Sequence, residues 1–126
     1  MKIKIVDLFW KVEKAVAEAA FKNFSHAAAR IRKDAIASIT KSSEPSQPGS
    51  PPHTRKRQLN RAILFSADKQ SAVIGPRHSV VGDAAQAHEF GGSFRGTDYP
   101  ERPFMGPALD KNAARFGSDW AASVGD

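Results

Sequence analysis

From Asp7 to about Thr40 the chain carries no proline and no glycine, and apolar residues recur at Leu8, Val12, Val16, Ala19, Phe24, Ala27, Ile31, Ala35 and Ile39. That spacing puts them on one face of an α-helix. Glu13, Lys14, Glu18, Lys22, Arg30, Lys33 and Asp34 fall on its flanks and far face, and Asp7 is placed to cap the start. A helix over 7–40 measures about 50 Å at 1.5 Å per residue, longer than a small domain is wide. It therefore protrudes or packs on a neighbouring subunit, bends near Asn23-Phe24-Ser25, or is an ordinary core helix with a frayed end.

The remainder reads as one small α+β domain, since 126 residues suffice for one core and not for two. Residues 41–53, rich in Ser, Pro and Gly and without an apolar side chain before Pro52, form a loop or an arm. Residues 54–126 form the α+β core. Thr54 is placed to cap a short helical turn in which Arg55, Lys56, Arg57 and Arg61 surround Leu59. Ile63 to Ala67 and Ser71 to Ile74 pair as a β-hairpin around Asp68-Lys69-Gln70, ended by Gly75-Pro76. Arg77 to Gly82 adds a further strand through Val80-Val81, and the alanines of 84–90 favour a short helix. Residues 91–99, glycine-rich and polar, form an exposed loop. Pro107 stands in the first turn of a terminal helix that runs to about Val124 and packs Leu109, Ala113, Phe116 and Trp120 on the sheet.

Composition removes several classes of function. With 40% hydrophobic and 25% charged residues, the chain has the make-up of a soluble globular protein. Without cysteine it has no disulfide framework, thiolate metal site or thiol nucleophile. No apolar run approaches the roughly 18 residues of a membrane span, and no signal-peptide core follows Met1-Lys2-Ile3-Lys4, so synthesis in the cytoplasm is expected. The net charge of +6 is uneven. Residues 1–48 hold nine Lys and Arg against five Asp and Glu, residues 49–70 five against one, and residues 71–126 five against seven. Such an excess either keeps one face solvated or meets an acidic partner.

No arrangement for catalysis emerges. His26, His53, His78 and His88 lack metal-binding spacing. His88-Glu89 begins like a zinc-protease motif, but Gly92 stands where the second histidine is required. Gly91, Gly92 and Gly96 are not followed by the Gly-Lys-Ser/Thr of a phosphate loop, and no serine sits in a Gly-x-Ser-x-Gly elbow. Asp83, Glu89, Asp98 and Glu101 lie in different segments, which offers no acid/base pair. The expectation is no enzyme, no metal and no cofactor.

The most patterned stretch is AHEFGGSFRGTDYPERPFMGPAL, residues 87–109. Gly91-Gly92 lets the backbone turn through positive φ, and Pro100, Pro103 and Pro107 force an extended path that delivers Phe104 and Met105 to a fixed place. That pair suits a core or an intersubunit groove. Glu89 is placed to pair with Arg102 or Arg95 and pin the glycine loop, or to meet a ligand.

His-Glu-Phe-Gly followed by Arg-Pro-Phe-Met-x-Pro-Ala-Leu resembles the signature of the neck and tail-completion proteins of long-tailed bacteriophages, the group that includes minor tail protein Z. The segment PGSPPHTRKRQLNRAI, residues 48–63, is similar to the same family's proline-rich lead into a Thr/Ser, Gly, Arg, Leu, Ile segment. The two matches span roughly half of the chain in the family's order. One departure is Lys56-Arg57, where the pattern has Thr-Gly or Lys-Gly before the leucine. The resemblance marks His88, Glu89, Phe90, Gly91, Arg102, Pro103, Phe104 and Pro107 as motif residues with structural roles. It implies a non-enzymatic virion protein that forms a ring of six or twelve copies at the head-tail junction, after assembly in the host cytoplasm. Its neighbours there would be head-completion, connector and tail-terminator or tail-tube proteins, with double-stranded DNA in the channel and no membrane. On that reading Arg55, Lys56, Arg57 and Arg61 face DNA or form an interface between copies. The alternatives are a tail-terminator ring and a small basic nucleic-acid-binding protein, the latter without a recognisable helix-turn-helix, zinc or aromatic stacking motif.

Overall fold

The computed structural model describes residues 5–124. In chain order the elements are α1 (Ile5–Ser38), β1 (Thr40–Lys41), β2 (His53–Thr54), α2 (Gln58–Ala62), β3 (Ile63–Ala67), β4 (Ala72–Pro76), α3 (His78–Val81), α4 (Ala84–Phe90), β5 (Gly92–Phe94), β6 (Thr97–Tyr99) and α5 (Met105–Val124). The fold is α+β, with a long first helix, small antiparallel ladders and a C-terminal helix. Among the described residues the strands form three separate two-stranded ladders: β1 and β2 parallel, β3 with β4 and β5 with β6 antiparallel.

The first helix runs unbroken through Asn23-Phe24-Ser25. It is already under way at Ile5, so Asp7 lies inside it and is not the cap that the sequence suggested; the side chains of Leu8 and Val12 lie outside the described ones. Its inner face carries Ala20, Asn23, Ala27, Ala28, Ile31 and Ala35, all buried, as is Ile39 just after it. The alanines keep that face low, so α5 lies close along it and runs the opposite way. Phe24 stacks on Phe116 with ring centroids 5.5 Å apart, Trp120 is 6.3 Å from the same ring, and Arg30 Nη2 meets Asp119 Oδ2 at 2.6 Å. Val16 and Phe21, nearer the start of α1, stay exposed.

The buried face of α5 is not the expected one. Ala108 and Asn112 turn inward, whereas Leu109 is 54% exposed and Ala113 is exposed. Hydrogen bonding explains the rotation: Asn112 Nδ2 donates to Asp34 Oδ2 and to the Ala108 carbonyl, both at 2.8 Å, so the amide is satisfied in the seam between the helices. The core joins Ile31 and Ala35 of α1 and Ile39 just after it to Leu59, Ile63, Ala85, Phe104 and Ala108, with Ile36, Ile74, Val81 and Met105 packed around it. Phe104 is therefore a core residue, and Met105 lies at the core's edge.

The β3–β4 hairpin forms as expected, closed by Asp68, whose Oδ1 accepts the N–H groups of Gln70 (2.7 Å) and Ser71 (2.8 Å). Strand β4 extends through Gly75 to Pro76 instead of stopping at Ile74. Pro76 stands opposite Ile63 at the end of the ladder, where a missing N–H is tolerated. Val80-Val81 is helical rather than a strand, because the Arg77 carbonyl accepts from both valine N–H groups. Residues 92–99 form a hairpin, not a loop, and its side chains other than that of Phe94, which lies outside the described ones, are exposed. Its two-residue turn uses Arg95 and Gly96, both at positive φ (51° and 78°), the combination that suits a right-twisted ribbon.

The proline-rich segment is neither a free arm nor a slack connection. The β1–β2 pairing closes it, Gly49 N–H donates to the Glu101 carbonyl (2.8 Å), Arg102 Nε donates to the Ser46 carbonyl (3.0 Å), and Pro52 is fully buried. Thr54 is held in β2 and caps nothing. Residue Arg57, with φ 57°, enters α2 instead, at the place where the resembling pattern carries glycine.

The carboxyl end of α1 is finished by a side chain from α2. Asn60, 6% exposed, donates through Nδ2 to the carbonyls of Ile36 (3.0 Å) and Ile39 (3.2 Å), and the Ile36 carbonyl also accepts the Ile39 N–H at 3.2 Å. We predict that Asn60→Ala loses about 2 kcal/mol in urea unfolding, because two buried hydrogen bonds to main-chain carbonyls are lost. Asn60→Asp sets a buried charge against two carbonyl oxygens and loses about 3 kcal/mol or more. A loss within about 0.5 kcal/mol for both, the level of an ordinary surface change, would remove Asn60 from this role.

Candidate functional site

The motif residues at 88–91 and 99–107 come together as one interlock. Helix α4 ends at Gly91, whose N–H donates to the Ala87 carbonyl (2.8 Å) with φ at +70°. A Cβ there would lie 3.1 Å from the Tyr99 carbonyl oxygen and 3.2 Å from Glu101, so the passing chain requires glycine. The Arg102 N–H closes the contact on the His88 carbonyl at 2.6 Å.

Glu89 supplies what the start of α5 lacks. Its Oε2 accepts the N–H groups of Phe104 and Met105, both at 2.9 Å, and its Oε1 accepts that of Gly106 at 2.8 Å. The next residue, Pro107, has no N–H to satisfy. All the free donors of the helix start are thus accounted for, with a negative charge on the positive end of the helix dipole. Gly106 makes room, since a Cβ there would stand 3.0 Å from Glu89 Oε1. The expected pairing of Glu89 with Arg102 or Arg95 is replaced by this cap, while Arg102 turns its Nε to Ser46. One signal was present in the sequence: the residue preceding the helix is Phe104, which cannot cap, so the cap had to come from a distance. Phe90, 70% exposed, takes no part in the interlock, and Pro103 is half-buried.

The four basic residues do not share one cavity. Arg55, Lys56, Arg57 and Arg61 are all exposed, and among the described residues none pairs with a carboxylate. Within the chain Asp83 meets His78 at 3.0 Å and Asp98 accepts from Ser93. Arg55 lines a cavity of about 360 Å³ with Ser46, His53, His88, Tyr99 and Arg102, whereas Lys56, Arg57 and Arg61 do not. Sequence reasoning missed Ser46 altogether, as it lies in a segment that read as loose. His88 is half-buried, and its imidazole pKa lies below the ordinary value because burial disfavours the charged ring and the Arg102 guanidinium repels it. Among the described residues no three His, Asp or Glu side chains converge on a metal position, and no helix is long and apolar enough to cross a membrane.

No protein-family model matches this chain, and no characterised protein or solved structure is similar to it.

Two outcomes are predicted. Glu89→Ala should cost about 2–3 kcal/mol, combining a lost cap with three stranded donors; Glu89→Gln, which keeps one acceptor oxygen but turns an amide N–H₂ towards another donor, should cost about half of that. Loss of helical circular dichroism below the melting transition would accompany the first. Acidification is the second. The unfolded chain takes up the His88 proton before the folded one does, so stability is full above about pH 6.5 and declines as pH falls below it. Asp34, held low first by its bond from Asn112, and Asp68, held low by backbone N–H groups, add a separate loss near and below pH 3.8. Denaturation midpoints for wild type and His88→Gln between about pH 7.5 and 5 isolate the histidine window; equal slopes would show that His88 does not contribute.

Proposed function

We propose that this protein is a non-enzymatic structural subunit of a long-tailed bacteriophage, assembled as a ring at the head-tail junction around the DNA channel. The proposal joins the motif resemblance to one structural observation. The chain leaves apolar side chains uncovered on several elements, among them Val16 (42%) and Phe21 (49%) in the first half of α1 and Leu64 (44%) and Val73 (72%) on the β3–β4 ribbon. A two-stranded ribbon is marginal by itself, and among the described residues both edges of this one are open. Neighbouring copies would bury these surfaces. The motif residues act by fastening α4 to α5, in keeping with a structural role. Neighbours in this reading are copies of itself, in sixes or twelves, and the head-completion, connector and tail-terminator or tail-tube proteins.

A nucleic-acid-binding role is the second reading, favoured by the four exposed cations without carboxylate partners. In a ring they form a collar whose field reaches about a Debye length, roughly 8 Å at physiological salt, and holds phosphates without reading bases. Replacing Arg55, Lys56 and Arg57 together by Gln shows whether the cluster faces the channel or a neighbouring copy. If they face the channel, rings form normally and DNA retention in particles weakens in a salt-dependent manner. If assembly fails while DNA retention in the surviving particles is unchanged, the cluster is an interface. Absence of the chain from the head-tail junction in virion images would refute the ring proposal itself.

A further inference from the structure

A groove of about 910 Å³ runs between the α3–α4 pair and the β5–β6 hairpin. Val80, Val81, Gln86 and Ala87 stand on its helical wall and Ser93 and Arg95 on the other, and among the described residues none of β6 lines it. A groove over the face of the hairpin would include Asp98, which stands across from Ser93. Its absence puts the groove along the outer edge of β5. Register shows what that edge carries. Phe94 and Thr97 flank the two-residue turn, so their main-chain groups bond to each other. In the next pair, Ser93 with Asp98, the N–H and C=O groups therefore point away from the partner strand. Ser93 N–H and C=O accordingly have no main-chain partner among the described residues. The Ser93 hydroxyl is turned back to Asp98 and holds the pair in register. Across the groove, Val80 is 52% exposed.

We propose that the outer edge of β5 takes an extended peptide segment of a partner protein as a third strand, with apolar residues at alternate positions set against Val80 and Val81. Strand addition draws affinity from main-chain bonds and selectivity from pockets for alternate side chains. One groove supplies both here. Ser93 offers a donor and an acceptor to a strand lying about 4.8 Å away, and the helical wall gives that strand's side chains an apolar surface. The hairpin also gains from the addition, since two strands alone are marginal and three are not. The site does not depend on the ring proposal, and the basic residues at 55–61 do not contribute to it.

The test is an NMR titration of the full chain with the capped peptide acetyl-Ser-Val-Thr-Val-Ser-amide. The control is the same peptide N-methylated at its three central residues, which keeps the side chains but cannot pair with a strand edge. Saturable shifts of the Ser93 amide and the Val80 methyl signals by the first peptide and not by the second are expected, with the Asp98 amide on the opposite edge unmoved. Ser93→Pro removes the outward donor without taking a bond from the β5–β6 ladder, and Val80→Ser removes the apolar wall without touching the hairpin. Each should weaken binding about fivefold, the effect of one hydrogen bond or of one partly buried methyl pair. No saturable shift at about 10 mM peptide, ten times a Kd of about 1 mM, overturns the proposal. So does an equal response to the methylated peptide, or unchanged affinity in both variants. A Ser93 shift that follows protein concentration with no peptide present overturns it as well, and assigns the edge to a second copy of this chain.

Discussion

The carboxylate of Glu89 on the start of α5 is the contact on which the arrangement of the second half depends. A helix start exposes N–H groups that must find acceptors, and here the residue in the capping position is Phe104, 1% exposed and committed to the core. Local capping and core packing compete for that position, and packing wins because the cap is supplied from seventeen residues earlier, Glu89 to Gly106. The same three bonds fix α4 relative to α5. They also explain two glycines of opposite use: Gly91 lets the chain turn and pass close, while Gly106 lets the carboxylate approach.

A parallel device finishes α1. Asn60 of α2 covers the last carbonyls of the long helix as Glu89 of α4 covers the first N–H groups of α5. Helices of five and seven residues are too short to persist alone. Their stability comes from packing Leu59 and Ala85 into the shared core, and they carry a polar side chain to the open end of a longer helix. Polar satisfaction and apolar burial are therefore coupled: moving either short helix both uncovers core and strands backbone groups.

Periodicity made the two long helices legible, and turn chemistry made the β3–β4 hairpin legible, since both signals are local. What was not legible was non-local. Leu109 read as inward because it is apolar, yet Asn112 takes that side through bonds to Asp34 and Ala108 that no spacing rule contains. Residues 41–53 read as loose because they lack apolar side chains, whereas they are held by backbone and arginine bonds to Glu101 and Arg102. Val80-Val81 carry strand propensity, and the hydrogen bonds to Arg77 override it. At the candidate site the basic residues were visible as a run of charge. The cavity that takes Arg55 from that run was not, because Ser46, His88 and Arg102 meet only through the fold.

The uncovered surfaces bear on the kind of assembly the proposed ring requires. Singly exposed apolar side chains are ordinary, and here they lie on several unlike elements, Val16 and Phe21 on α1, Leu64 and Val73 on the ribbon, Phe90 on α4 and Leu109 on α5. An isologous dimer repeats one self-complementary patch, whereas a head-to-tail ring needs two different patches that fit each other. Leu64 and Val73 share one face of the ribbon, and Val16 or Phe21, five residues apart and so on different sides of α1, would give the unlike surface that meets it. Open ribbon edges would otherwise invite indiscriminate pairing. Pro76 on β4 removes one ladder donor, and Arg61 and Lys69 flank the ribbon with charge, which disfavours strand-to-strand growth and leaves the ribbon face as the surface for a neighbour's helix.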